Sequence, residues 1–356
     1  KINIKIAHFT SAHSREDPRI FHKECISANK KFDVSLIVSD GFGDSIKENV
    51  KIFDIGKMNN RLKRIIFSPY YFIKFALKNK FSIIHLHDPE LLIVSPFLFW
   101  KSRIIFDFHE DIKNQFEVRN YLNKLTKFLL YISYSLYEKI IMLFLSGVVC
   151  ATPEIYKKYN NFKKKIILNN FPIKKNYSNL LNIKKTNSIV YVGVITPERG
   201  IYEAIKSISL TKSKPKFLII GKCFDKKFLS KIKSCDEFKY VEMMGWKSYN
   251  EIPEIISNCK AGIATLHPKK NYLKSQPTKI FEYLASGIPA IVSNFDYWKN
   301  LLGEDQNMIY VNPLSPKEIA VAIDNICLDN YHRLMIEVNK SDFFWENEEQ
   351  KLLNFY

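Results

Sequence analysis

Short apolar runs alternate with amphipathic segments along most of the 356 residues, the rhythm of parallel sheets whose two faces are covered by helices. Runs at 2–9, 34–38, 50–55, 83–86, 104–108 and 148–151 predict one series of strands. Runs at 189–192, 217–220, 240–243, 262–265, 290–292 and 308–311 predict a second. Between them 171–187 is polar and follows neither period, which marks it as a linker. The last stretch, 331–356, reads as helical and is expected to return toward the first domain. The predicted fold class is α/β, with two Rossmann-like doubly wound domains at 1–170 and 188–330. Two such domains in series place a ligand in the cleft where the carboxyl ends of both sheets face each other.

Two segments break the rhythm. Residues 124–146 contain FLLYISYSLY and IIMLFL, nearly enough for a membrane span. Glu138 and Lys139 interrupt them, and a central charge costs about 2.5–3.5 kcal/mol in a bilayer, so a buried domain helix is the preferred reading. Residues 59–80 interleave Arg61, Lys63, Arg64, Lys74, Lys78 and Lys80 with Leu62, Ile65, Phe67, Tyr70 and Phe75. That is the composition of a helix lying on a membrane surface, and equally of a solvated face in a lysine-rich protein.

Charge sharpens this picture. The net charge is +18, and two thirds of the excess lies in residues 1–170, as expected for attraction to an anionic membrane surface. Nucleic-acid binding is the competing reading, although the cations are interleaved with acids and no nucleic-acid module is recognisable. Six scattered cysteines without a C-x-x-C pair suggest neither a disulfide framework nor a zinc ribbon and fit a reduced, cytoplasmic setting. The first apolar run is too short and too charged for a signal peptide.

The chemistry concentrates in SQPTKIFEYLASGIPAIVSN, 275–294. Pro277 opens a helix, Gly287 caps it and Pro289 prevents its continuation. The first turn, with Thr278 and Lys279, offers unpaired amides and a positive dipole end to phosphate. Glu282, one turn further in, can accept hydrogen bonds from paired sugar hydroxyls. A second constellation, YVGVITPERGIYEAI, ends a strand at Gly193 and opens a helix at Arg199-Gly200, where an arginine fork suits phosphate oxygens. It lacks the G-x-G-x-x-G fingerprint, so no nicotinamide cofactor is indicated.

The order YVG…PERG, IIGK (219–222), MMGW (243–246) and PTKIFEYLASGIPAI resembles the donor-binding half of the retaining family 4 glycosyltransferases of GT-B fold. FTSAHSREDPRIFHKE, IIHLHDPE and IIFDFHED in the first half resemble acceptor-side segments of members that build bacterial surface polysaccharides such as O-antigen and capsule. The resemblance implies a retaining hexosyl transfer from a nucleotide-sugar, UDP-sugar favoured, to a lipid-linked or saccharide acceptor, at the inner face of the plasma membrane. It implies that Glu282 holds the ribose, that Arg199 binds the diphosphate, that the Thr278 amide contacts phosphate and that His109 lies near the transferred sugar. Pro277, Gly193, Gly221 and Trp246 complete the expected donor pocket. Two positions depart from the family pattern. Lys274 stands where the first acid of E-x7-E belongs, and Val194 where an arginine follows the glycine. Lys279 or Lys274 then supplies part of the missing positive charge. Preorganised cations and a helix terminus can stabilise the departing nucleotide without a metal, so Arg199, Lys279 and His109 are the candidate catalytic residues, with no cofactor and no metal expected.

On the acceptor side the candidates are His13, Asp17 and Arg19 of HSREDPR, His87 and Asp88 of HLHD, and Glu110 of FDFHED. Arg19 has a structural alternative, an ion pair with the next helix, and His109 one as a satisfied core histidine. The H-x-H of His85 and His87 could bind a metal, but the histidines downstream, His267 and His332, lack a ligand context. A nucleotide-sugar 2-epimerase of the same fold remains an alternative activity.

Overall fold

The computed structural model describes residues 4–58, 60–109, 123–180, 183–303, 307–328 and 343–356. The chain divides into two compact units, residues 1–170 with 345–356, and residues 171–344.

Among its described residues the first unit holds eight strands: β1 (Lys5–Phe9), β2 (Asp33–Val38), β3 (Ser45–Lys47), β4 (Val50–Asp54), β5 (Ile83–Leu86), β6 (Arg103–Phe108), β7 (Gly147–Cys150) and β8 (Lys165–Ile167). They run in the order β3-β4-β2-β1-β5-β6-β7-β8. All pairings are parallel except that of the edge strand β3 with β4. The central strands are buried on both faces and are mainly apolar, with Ser35, His8, His85 and Asp107 as buried polar exceptions. The periodicity analysis missed β3 and β8. Each has three residues at a sheet edge with few buried positions, too little to leave an apolar run.

The second unit holds β9 (Ser188–Val192), β10 (Lys216–Ile220), β11 (Val241–Gly245), β12 (Ala261–Ala264), β13 (Ala290–Ser293) and β14 (Met308–Val311). The order is β11-β10-β9-β12-β13-β14, all parallel. Here the order reverses between β9 and β12, as it reverses in the first sheet between β1 and β5. In open α/β sheets the carboxyl ends flanking such a reversal form a crevice. Helices Ile201–Ile208 and Pro316–Leu328 pack together over one face, burying Ile205, Ile208, Ile319 and Ile323.

Two expectations need correction, that of a linker at 171–187 and that of a buried helix at 124–146. Residues 171–187 are not a free linker, because Phe171 and Tyr177 are buried in the second unit and Phe171 stacks edge-on against Phe281 at 4.8 Å. Helix Trp345–Phe355 belongs to the first unit, where Trp345 Nε1 donates to Ser27 and Glu348 accepts from the Asn169 amide. The rest of the expected terminal helix, 331–342, lies outside the described residues. Helix Lys124–Ile141 is not a core helix: of its residues only Glu138 and Ile141 are buried, while Leu125, Phe128, Leu129, Ile132 and Leu136 are exposed. Its buried Glu138 accepts from the Tyr159 hydroxyl at 2.8 Å. Among the described residues no helix is long and apolar enough to cross a membrane.

Candidate active site

At the reversal of the second sheet three chain segments end side by side: Gly193 after β9, Gly221 after β10, and helix Thr278–Ala285 behind β12. Both glycines are required by the backbone. Gly221 has φ 143°, and a Cβ there would overlap the Gly193 carbonyl. Gly193 has φ 139°, and a Cβ would stand 2.9 Å from Lys279 Nζ. The two strand ends therefore allow the chain and the lysine head to approach more closely than any side chain there would permit.

Helix Thr278–Ala285 starts one residue later than its sequence suggests, with Pro277 as the extended cap. It is fixed to the sheet by Tyr283, whose hydroxyl donates to the Ile263 carbonyl at 3.1 Å and lies 3.3 Å from the Val192 amide. Trp298 Nε1 holds the preceding loop through the Ser275 carbonyl at 2.8 Å. A helix so anchored presents its unpaired first-turn amides at Thr278 and Lys279 in a set direction.

Lys279 is the centre of the constellation. It is buried, with Nζ 3.4 Å from Tyr191 Oη and 4.5 Å above the Tyr191 ring. Burial drives its pKa well below the usual lysine value, Arg199 pushes the same way, and Glu282 opposes. Arg199 and Glu282 thus both act on one lysine head. The Arg199 guanidinium also lies 5.9 Å from the Tyr272 ring. Tyr191, which donates to the Val194 carbonyl at 2.7 Å, is raised to about 12 by burial. The sequence analysis overlooked it, although it directly precedes the VG that drew attention. Lys274 is exposed on the loop before the helix. Trp246 is 65% exposed, its ring 6.0 Å from Lys222 Nζ.

The first-unit residues divide differently. His109 follows β6, is 19% exposed and meets Asp107 Oδ2 at 2.9 Å. His13 also faces outward, 3.1 Å from Asp17 and 3.4 Å from Asp88. Burial opposes its charge, but the two carboxylates prevail and raise it to about 9. Asp17 caps the following turn through the amides of Arg19 and Ile20. Asp88 is turned inward and accepts from Thr10 Oγ1 and the Ser11 and Ala12 amides. His87 is fully buried and depressed to about 4, chiefly by burial. Arg19 does not face an acceptor: it is buried, forks onto Asp107 at 2.8 and 2.9 Å and donates to the Leu168 carbonyl. A guanidinium that deep stays only where carboxylates compensate it. Glu110 lies outside the described residues.

The strand reversal, the positive-φ glycines and the cationic helix start define a doubly wound domain with an anion-receptive edge. Residues 172–342 match the family described as Glycosyl transferases group 1; the second unit is a domain of that class, and the chain is an enzyme, a glycosyltransferase. No curated protein matches the sequence. Among solved structures it is similar to sucrose-phosphate synthase from Thermosynechococcus elongatus, with TM-score 0.76, 14% identity and coverage of 99% of this chain and 98% of that one. Anabaena Alr3699/HepE in complex with UDP and glucose gives TM-score 0.72 and 12% identity over 99% of each chain. A structure described as trehalose-6-phosphate from E. coli bound with UDP-2-fluoro glucose gives 0.63 and 11%, covering 98% and 94%. The fold is GT-B, two Rossmann-like units with parallel sheets. These matches are not particular to makers of surface polysaccharide.

Proposed function

We propose that the protein transfers a hexosyl group, with retention, from a UDP-sugar to a lipid-linked or saccharide acceptor in bacterial surface polysaccharide synthesis, working against the inner face of the plasma membrane. The observation that carries the donor half of this reading is the convergence of Arg199, Lys279 and Glu282 beside the Gly193 and Gly221 strand ends. The diphosphate takes the Thr278 and Lys279 amides, beyond the Pro277 cap, and the Arg199 fork, and the ribose hydroxyls take Glu282. Burial and Arg199 lower the Lys279 pKa, and the negative charge of a bound diphosphate at close range would raise it. Charge on the departing UDP is then met by cations already in place. Two fold neighbours whose structures contain UDP or a UDP-sugar analogue support the choice of nucleotide.

Support for the membrane half comes from helix Arg61–Lys78, which exposes Leu62, Ile66, Phe67, Tyr70 and Tyr71 beside Arg61, Lys63, Lys74 and Lys78. The test is thermal unfolding with UDP, GDP and ADP: UDP raises the midpoint and Glu282→Ala removes the shift. No shift with any of the three defeats the proposal. Incubating the UDP-sugar without acceptor distinguishes a transferase from a 2-epimerase, which would convert the donor alone.

A further inference from the structure

The first unit buries more ionisable groups than the proposed transfer uses. His8 on β1 lies opposite His85 on β5 in the strand register, and His87 follows at the end of β5. Glu24 closes over all three from a π-helical turn, Ile20–Cys25, a rare form of helix that often marks functional positions. Glu24 Oε2 is 3.8 Å from His8 Nδ1, 3.7 Å from His85 Nδ1 and 3.9 Å from His87 Nε2, and all four side chains are wholly shielded from solvent. The four donor atoms lie within 4.8 Å of one another.

Neither Glu24 oxygen receives a hydrogen bond, and neither does His85 Nε2. The nearest cation, Arg19, stands 3.0 Å from Glu24 Oε1, but its N–H groups go to Asp107 and to the Leu168 carbonyl. A dry carboxylate facing three imidazoles has two ways to be satisfied, a proton or a cation. Burial and the neighbouring Asp107 do push Glu24 toward protonation. A proton on Glu24 would be shared with the Asp107 side chain and would leave the three imidazoles, 3.7–3.9 Å from Oε2, unengaged by it. A central cation would engage all four groups at once.

The dimensions suit a small divalent ion. Bonds of about 2.0–2.1 Å in a tetrahedron put ligand atoms about 3.4 Å apart, a few tenths of an ångström inside the separations from Glu24. Outer partners are in place as well. His8 Nε2 is 3.2 Å from the Tyr356 hydroxyl, and His87 Nδ1 is 3.3 Å from His109 Nε2. Binding would replace the present 2.9 Å contact between His8 Nδ1 and His87 Nε2, and that of His85 Nδ1 with Tyr356 Oη at 2.7 Å.

We propose that His8, Glu24, His85 and His87 form a closed structural site for a zinc-like divalent cation that ties β1, β5 and the π-helical turn together. Three imidazoles and one carboxylate fill a tetrahedron, so no position is left for substrate and the ion takes no part in transfer. This site is independent of the donor reading.

The experiment uses the full chain, purified without a metal column. Elemental analysis should find one zinc per chain, retained through dialysis and lost in Glu24→Gln. In parallel, wild-type protein unfolded with chelator and refolded with zinc should melt several degrees above the same protein refolded without it, while magnesium leaves the midpoint unchanged. This arm needs no variant to fold. Cobalt refolded in place of zinc should give the intense visible absorption of a tetrahedral site. Absence of bound zinc both as purified and after refolding with zinc overturns the proposal. So does zinc retained in Glu24→Gln but lost in His109→Ala, which would assign the ion to the neighbouring group His87, Asp107 and His109.

Discussion

The two sheets share one topology at their reversals and use it in opposite ways. In the second unit the strand ends stop at glycines, whose backbone approaches the buried Lys279 head and the Gly193 carbonyl closely. In the first unit the corresponding ends are filled by His8, His85, His87 and Asp107, with Arg19 and Glu24 laid across them. A parallel sheet supplies a crevice at its reversal by geometry alone. Side-chain volume and charge decide whether that crevice admits a ligand or becomes a polar core. The same contrast appears in lysine and arginine chemistry. Lys279 is a buried amine whose pKa falls through burial and Arg199, whereas Arg19 is held between carboxylates and its charge is reinforced.

The sharpest way to break the contrast is Arg19→Ala. Asp107 would be left buried without its fork, and losing one partner of such a pair costs about 3–5 kcal/mol, measurable by urea unfolding with only a secondary effect on nucleotide binding. Arg199→Ala should do the reverse. Stability holds within about 0.5 kcal/mol, while the transfer rate falls by about 10²–10³ if the guanidinium stabilises departing charge. Single-turnover assays at saturating donor read that loss, and an unchanged rate would remove Arg199 from the reaction.

A subtler difference lies at the rim of the first site. His13, raised to about 9 by Asp17 and Asp88 against the opposing effect of burial, stays charged well above the usual histidine range. Because its folded pKa exceeds the unfolded value near 6.5, its contribution to stability is complete below about pH 6.5 and disappears as pH rises through about 9. His13→Asn should flatten the stability profile across that window, and NMR titration of the ring should show the elevated midpoint. The smallest effect concerns the exposed helix Arg61–Lys78. Each cation near an anionic surface is worth about 1 kcal/mol, so Lys63→Gln and Lys74→Gln together should reduce vesicle co-sedimentation by about tenfold or more with anionic lipid. Equal recovery on neutral and anionic vesicles would remove the electrostatic part of the membrane proposal.

Much of this molecule was written in local pattern. The alternation of apolar runs with amphipathic segments marked twelve of the fourteen strands among the described residues, because a strand buried on both faces is mostly apolar. The helix at Thr278 was legible from Pro277 and Gly287, since its stop and start are properties of single residues. Where burial came from partners distant in the chain, local reading failed. Phe171 and Tyr177 sit in a segment too polar on average to suggest a core, and the apolar helix Lys124–Ile141 gave no sign that its surface would remain exposed. The alternation of apolar runs with amphipathic segments by itself determined the α/β class. Only the tertiary structure decided that His8, Glu24, His85 and His87 would meet: they lie up to 79 positions apart in the chain, and it is the pairing of β1 with β5 that closes this distance to hydrogen-bonding range.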